Sequence, residues 1–345
     1  MVQNSGNSDG FSRSEVTRSD WFKSLSQYEK PDTRKAVREL VTTLPLYFAL
    51  WGVMLFLVSR GVLYPFLLPL IALGGLLLVR IFIFFHDCAH GAFFPSHKAN
   101  RALGYFTGVI TWTSFAAWQH AHSIHHGTAG DLDRRGVGDV WTMTVEEYQA
   151  APRHTRFFYY LVRSPWFLFS VGAPFMFLIL NRFPHKKSGK RETRSVIFTN
   201  LSLLTCMVIA NFTIGLKTYL MLQLPIVATA AIIGVWLFYV QHQFEDMHWE
   251  RHDDWDPIRA ALIGSSYLKL PALFMWFTGN IGLHHIHHLR PRIPSYNLQR
   301  CYDDIPALQQ AKPLTFWDSV KAFRLNLWDE TRQEMVSFRA ARIRS

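Results

Sequence analysis

The chain has 345 residues, three cysteines and a formal net charge of +11, from 36 Lys and Arg against 25 Asp and Glu. Half of it is hydrophobic (49%), and charged residues make up 18%, below the roughly one quarter usual in soluble domains. Cys88, Cys206 and Cys301 are too scattered for a disulfide framework or a thiolate metal site. The basic residues flank long apolar runs, where Lys and Arg mark the cytoplasmic side of a membrane; this argues against a nucleic-acid-binding surface.

In chain order, residues 1–42 form a polar arm with no apolar core or small-residue cleavage site, unlike a signal peptide. They are expected to be cytosolic and helical near Asp32–Leu40. Apolar stretches of about 43–59 and 62–85 follow, separated by Ser59, Arg60 and Gly61. Each approaches the roughly 20 residues that a crossing helix needs, so they form a hairpin. A shorter aromatic run, 100–118, is too broken to cross. The run 157–181 is interrupted by Pro165 and Pro174 and has arginines before it and a basic loop, Arg182 to Arg194, after it. Both its ends look cytoplasmic, so it is expected to lie in the interface or re-enter.

Stretches 195–215 and 218–241, joined near Gly215 and Lys217, form a second hairpin. The expected fold is an all-α integral membrane protein. Four transmembrane helices in two hairpins carry a cytosolic histidine-rich cap and interfacial helices. The membrane domain spans 43–300 and is followed by a cytosolic tail, 301–345, which ends in the basic run Arg339–Arg344.

Three short stretches concentrate the chemistry. They are His86-Asp-Cys-Ala-His90 at the end of the second apolar run, His122-Ser-Ile-His125-His126, and His284-His-Ile-His287-His288. Residues three and four apart share a helix face, so each stretch can aim two or three imidazoles together. The charge pattern independently puts all three on one side of the membrane. One histidine pair proves little, but two His-x-x-His-His stretches and one His-x-x-x-His on one side point to metal. Eight imidazoles exceed one four-coordinate zinc site. Imidazole also suits iron, copper and nickel, so ligand type alone does not choose. The carboxylate-rich soluble diiron design needs two Glu-x-x-His units. Only Glu245 to His248 has that spacing here.

These stretches, with HDCAHGAFF at 86–94, LDRRGVGDVWTMTVEEY at 132–148 and WFTGNIGLHHIHHLRPRIPSYNLQ at 276–299, resemble the membrane fatty acid desaturase family. The resemblance runs from about residue 40 to 300 and is greatest to the acyl-lipid omega-6 (delta-12) type. It implies that His86, His90, His122, His125, His126, His284, His287 and His288 bind two iron ions, with O2 as cosubstrate. A further ligand is expected near the end of the fourth span, His242, with His248 as its competitor. Asp87 and Asp139 are candidates to orient ligand imidazoles, Asp87 the better placed because it lies inside a histidine stretch. Asn280, four residues before His284, could hold a metal-bound water if both share a helix, or serve as a turn residue. His285 should point away, while His97, His120, His154, His185 and His252 are expected outside the site.

The implied reaction removes two hydrogens from adjacent methylenes of an acyl lipid. No side chain can deprotonate such carbons, so an O2-dependent metal centre is required. There is no flavin, nicotinamide or haem-binding fingerprint, which implies a separate ferredoxin or cytochrome b5 type electron donor. The short loops lean towards a bacterial inner membrane over the endoplasmic reticulum. Rival readings are a hydroxylase or ketolase on the same metal core and, more remotely, a metal transporter. Transport sites usually lie at the bilayer midplane, whereas these histidines lie at helix ends.

Overall fold

The structure, a computed structural model, describes residues 13–342. The first twelve residues of the expected arm, and Arg344 with its neighbours in the basic tail, lie outside the described residues. The arm and the first apolar run form one helix, α1 (Thr33–Ser59), so residue 43 marks no structural break. Asp32 starts it by accepting the Arg34 and Lys35 backbone N–H groups at 2.7 and 3.2 Å, satisfying donors that have no partner within the helix. Gly61, at φ +72°, takes the left-handed conformation that turns the chain back with no Cβ penalty. The chain then enters α2 (Leu68–Ala89).

The run 100–118 divides into α3 (His97–Ile110) and α4 (Phe115–Thr128), with the second histidine stretch on α4. The break falls at Trp112, a buried residue with φ +56°. Next come α5 (Arg153–Arg163) and a broken helix, α6 (Pro165–Arg182), interrupted by a π-helical turn over Leu168–Gly172. Two unbroken helices complete the bundle: α7 (Lys190–Thr213) and α8 (Leu216–His242), joined through Gly215 at φ +85°.

Among the described residues, five helices, α1, α2 (taken from Tyr64), α6, α7 and α8, are long and apolar enough to cross a membrane. More than half of the apolar stretch of α2 is buried, against a third or less in the others, so α2 is the centre of the bundle. Its packing on α8 depends on small residues. A Cβ added to Gly75 would lie 2.5 Å from the Thr229 side chain, and one on Gly74 would lie 3.2 Å from Ile226. Close backbone approach of this kind is what small residues allow in apolar helix pairs.

Within α2, Arg80 is buried. It pairs with Glu39 of α1, donates to the Trp276 carbonyl and to Thr43 Oγ1 (3.0 Å), and lies 4.0 Å from the Trp276 ring. A charge inside an apolar helix persists only when it is paired in this way.

The all-α expectation holds for the bulk of the chain, but two small sheets interrupt it. Strand β1 (Met143–Thr144) pairs with β4 (Leu327–Asp329), which pairs with β5 (Glu334–Val336); β2 (Tyr267–Leu268) pairs with β3 (Pro313–Leu314). Strands of two or three residues are too short to show a hydrophobic period, so the sequence carried no signal for them. They fold the segment after residue 301 onto the histidine end of the bundle. There Trp328 is fully buried, and the Asn326 and Leu325 carbonyls accept from Tyr159 (2.5 Å) and Arg163 (2.8 Å).

Candidate metal centre

Four elements meet at one end of the bundle. His86 lies in the last turn of α2, with His90 just beyond it at the C-cap; His242 is the final residue of α8; and His122, His125 and His126 lie on α4. The third stretch begins a short helix, α9 (His284–Leu289). The Ser266 carbonyl lies 3.2 and 3.3 Å from the His284 and His285 backbone N–H groups. Gln241 Nε2 donates to the Ile281 carbonyl at 3.0 Å, tying the turn before α9 to the end of α8. Gly282 packs against the backbone here, since a Cβ would lie 2.3 Å from the Leu268 carbonyl oxygen.

The imidazoles form two groups, and the grouping cuts across the three stretches. His86, His90, His122, His126 and His287 make one; His125, His242, His284 and His288 make the other. Within each group the nitrogens that could bind a metal lie within 4.8 Å of one another. Helix geometry explains the division. The i,i+4 pairs His122/His126 and His284/His288 stay together, while the residue three along, His125 or His287, points to the other group.

Nε2–Nε2 contacts are 3.1 Å for His86–His287, 3.1 Å for His122–His126 and 3.0 Å for His126–His287 in the first group. In the second they are 3.1 Å for His125–His242 and 2.9 Å for His242–His284. Two imidazoles on one ion, each about 2.0–2.1 Å from it, lie about 3.0 Å apart at right angles and about 3.4 Å apart in a tetrahedron. The observed spacings match the right-angled case. Five ligands in one group likewise exceed a tetrahedral site.

The Nε2 atoms of His90 and His288 are buried with no hydrogen-bond partner, a costly state that a metal would relieve. Burial first, and neighbouring imidazoles second, push His122, His126, His287 and His288 well below the usual histidine range. They are therefore held neutral, the form that binds metal. The residues present fit a pair of metal ions.

Two carboxylates touch the outer nitrogens of this cluster. Asp139 Oδ1 is 2.5 Å from His125 Nδ1. Asp87 Oδ1 is 3.2 Å from His86 Nδ1, and its Oδ2 accepts the Ser295 N–H at 2.7 Å. Contrary to the order read from sequence, Asp139 makes the closer contact although it lies outside any histidine stretch.

Asn280 is not on a helix shared with His284. It has φ +59° in the turn before α9, which removes the shared-face argument for a water-holding role. His248 lies 2.6 Å from Glu250 Oε1 and belongs to neither group. His285 points away, its Nε2 3.1 Å from the Leu308 carbonyl. His97, His120, His154, His185 and His252 are exposed.

Sequence reasoning missed Trp118, stacked 4.2 Å from His122, and Phe238, 5.1 Å from both His125 and His242. Trp118 is four residues before His122 and Phe238 four before His242, so same-face helical spacing was the available signal. Ser295 had no signal.

The fold and site define a membrane-type helical bundle whose histidine-rich end is capable of binding metal. The chain matches the family model for fatty acid desaturase over residues 63–319. It is 41% identical over 318 residues to a fatty acid desaturase of Bacillus subtilis, covering 92% of this chain and 90% of the relative. It is 26% identical over 255 residues to an sn-1 oleoyl-lipid 12-desaturase of Picosynechococcus, covering 69% of each. It is 27% identical over 259 residues to a chloroplastic sn-2 acyl-lipid omega-3 desaturase (ferredoxin) of Arabidopsis thaliana, covering 70% of this chain and 54% of the relative. The protein belongs to the fatty acid desaturase family and is an oxidoreductase.

Proposed function

We propose that this protein is an acyl-lipid desaturase with a diiron centre, one iron held by His86, His90, His122, His126 and His287 and the other by His125, His242, His284 and His288. The observation that carries this reading is the convergence of nine imidazoles into two groups. Iron bound there supplies the one chemistry the side chains lack, O2-dependent removal of hydrogen from unactivated methylenes. Two hydrogens from the acyl chain, two electrons from a donor and two protons from solvent would together reduce O2 to two waters. The chain's own residues do the rest. Asp139 and Asp87 fix the orientation of His125 and His86, and Trp118 and Phe238 keep water from the rings they cover. Arg80 secures the approach to the third histidine stretch through the Trp276 carbonyl.

The four-span arrangement, with both termini and the site cytoplasmic, has support from contacts at the histidine end. Arg163, just before α6, donates to Gln243 beside His242 (2.8 Å), while Arg191, at the start of α7, reaches Gln119 of α4. Both flanks of α6 therefore belong to the histidine end, so α6 is read as entering and returning. A bacterial inner membrane suits the named bacterial relatives, and a ferredoxin-type donor suits those named for ferredoxin. A cytochrome b5 type donor is the alternative of the same chemistry.

Relatives named for a position divide between 12-desaturases and omega-3 desaturases, and the Bacillus relative's name gives none. The oleoyl delta-12 position expected from the stretches around the histidines is therefore the specific product sought. The test is the fatty-acid profile, by gas chromatography–mass spectrometry, of an oleoyl-containing host expressing the chain with a compatible donor, beside a His126→Ala control. A new cis diene whose second double bond lies at the 12 position, on the methyl side of the first, and which is absent from the control, establishes the delta-12 activity. A new monoene elsewhere in the chain keeps the desaturase and moves the position. A hydroxylated product overturns the desaturase reading.

A further inference from the structure

Against α5 lies a cavity of about 340 Å³, lined by Tyr148, Gln149, Arg153, Arg156 and Tyr160 together with Phe157 and Ala341. That volume lies within the range of small-ligand sites. Among the described residues, neither arginine has an ion-pair partner, although surface cations are usually placed near acidic groups. The carboxylate that might have served, Glu147, is engaged by Arg135 and by the cap of its own short helix. The chain beside Ala341 adds Arg339 in sequence.

Position tells which anion this is. The same helix that carries Arg153 and Arg156 exposes Phe157 (69%) and Phe158 (54%), and Trp166 (64%) follows at the start of the apolar helix α6. A short helix that sets arginines beside exposed aromatic rings, with Phe157 and Tyr160 lining the cavity together with Arg153 and Arg156, lies in the boundary between headgroups and acyl chains. Trp and Tyr concentrate at that same depth. The phosphate of a membrane lipid therefore comes to the cavity with its acyl chains already against the aromatic face, whereas a free anion has no use for that face. Arginine forks match phosphate oxygens two at a time.

We propose that Arg153 and Arg156 form a binding site for the phosphate headgroup of an anionic phospholipid, distinct from the acyl chain presented to the metals. An occupied site would tie down α5, whose other end is fixed by Arg163 on Gln243 beside His242. The site thus links the composition of the surrounding lipid to the scaffold of the second histidine group.

The test uses the detergent-purified full chain, titrated with phosphatidylglycerol or phosphatidylcholine and read by native mass spectrometry and by the Tm. Wild type should retain phosphatidylglycerol in preference to phosphatidylcholine and gain Tm with it. Arg153→Gln/Arg156→Gln should fold with the wild-type starting Tm and bind phosphatidylglycerol about thirtyfold less tightly, the effect of two arginines at a charged membrane surface. Arg153→Lys/Arg156→Lys should recover most of the binding. Equal retention of phosphatidylglycerol by wild type and the Gln pair overturns the proposal, as does equal retention of the two lipids by wild type. Displacement of the lipid by millimolar inorganic phosphate would identify a free-phosphate site and overturn the lipid assignment.

Discussion

Asp139 Oδ1 lies 2.5 Å from Nδ1 of His125, while Nε2 of the same ring faces His242 Nε2 at 3.1 Å. A carboxylate at Nδ1 favours the tautomer protonated there, which directs the Nε2 lone pair into the four-histidine group. The contact comes from a residue fourteen positions away.

Asp139→Asn keeps the shape and loses the charge. It should lower metal affinity at the four-histidine group by about 10- to 100-fold, the usual effect of removing such a partner. The five-histidine group should hold its metal nearly as before. Chelator titration of the iron-loaded protein should then show one iron leaving early and one late. Simultaneous loss of both would refute the division of roles.

His242 and His248 are six residues apart and differ in kind. His242→Ala should abolish desaturation and reduce bound iron towards one per chain. His248→Ala removes the contact with Glu250, which Arg259 also pairs with at 2.9 Å, and an edge contact with the Trp328 ring, and should leave iron content unchanged. Iron analysis of the two purified variants decides between them.

His285 is flanked by proposed ligands yet serves packing. Replacing it with Ala leaves the buried Leu308 carbonyl without its donor, a cost of about 1–3 kcal/mol, with lost packing in addition. The expected outcome is a lower Tm with the wild-type iron content per folded chain. Loss of iron without loss of Tm would contradict this assignment.

The Arg80–Glu39 pair gives the fourth prediction. Glu39→Gln strands a buried guanidinium and should cost about 3–5 kcal/mol. The double change Glu39→Leu/Arg80→Met removes both charges and should recover much of that loss. Thermal unfolding in one detergent of Glu39→Leu, Arg80→Met and the double measures the coupling.

Much of this architecture could be read directly from the residues. The apolar runs gave the long helices because their length and lack of charge leave no other structure in lipid, and Gly61 and Gly215 fall where the hairpins turn. Eight of the nine histidines of the three stretches, all but His285, converge with His242. What stayed hidden was how they divide: helical spacing shows that His125 departs from the His122/His126 face, but only packing shows what it meets there. Asp139 was ranked below Asp87 because sequence proximity stands in poorly for spatial proximity when a glycine-containing loop, Gly136 and Gly138, folds back on a helix. The small strands were invisible for want of length. The Asn280 argument failed because it assumed that a helix extended through a stretch that turns at Gly279 and Asn280, both at positive φ.

The pairing of His86 with His287 spans 201 positions of chain. At a synthesis rate of roughly 5–20 residues per second, the earlier ring waits roughly 10–40 s before its neighbour exists. His122 and His126, which belong to the same group, are equally incomplete through that interval. A nascent chain can therefore present an early cluster of imidazoles to whatever metal the cell offers before the geometry that selects among metals has formed. Fidelity of metal choice then depends on the last histidine stretch to be made, and a chain stalled before residue 284 would be the one most prone to capture the wrong ion.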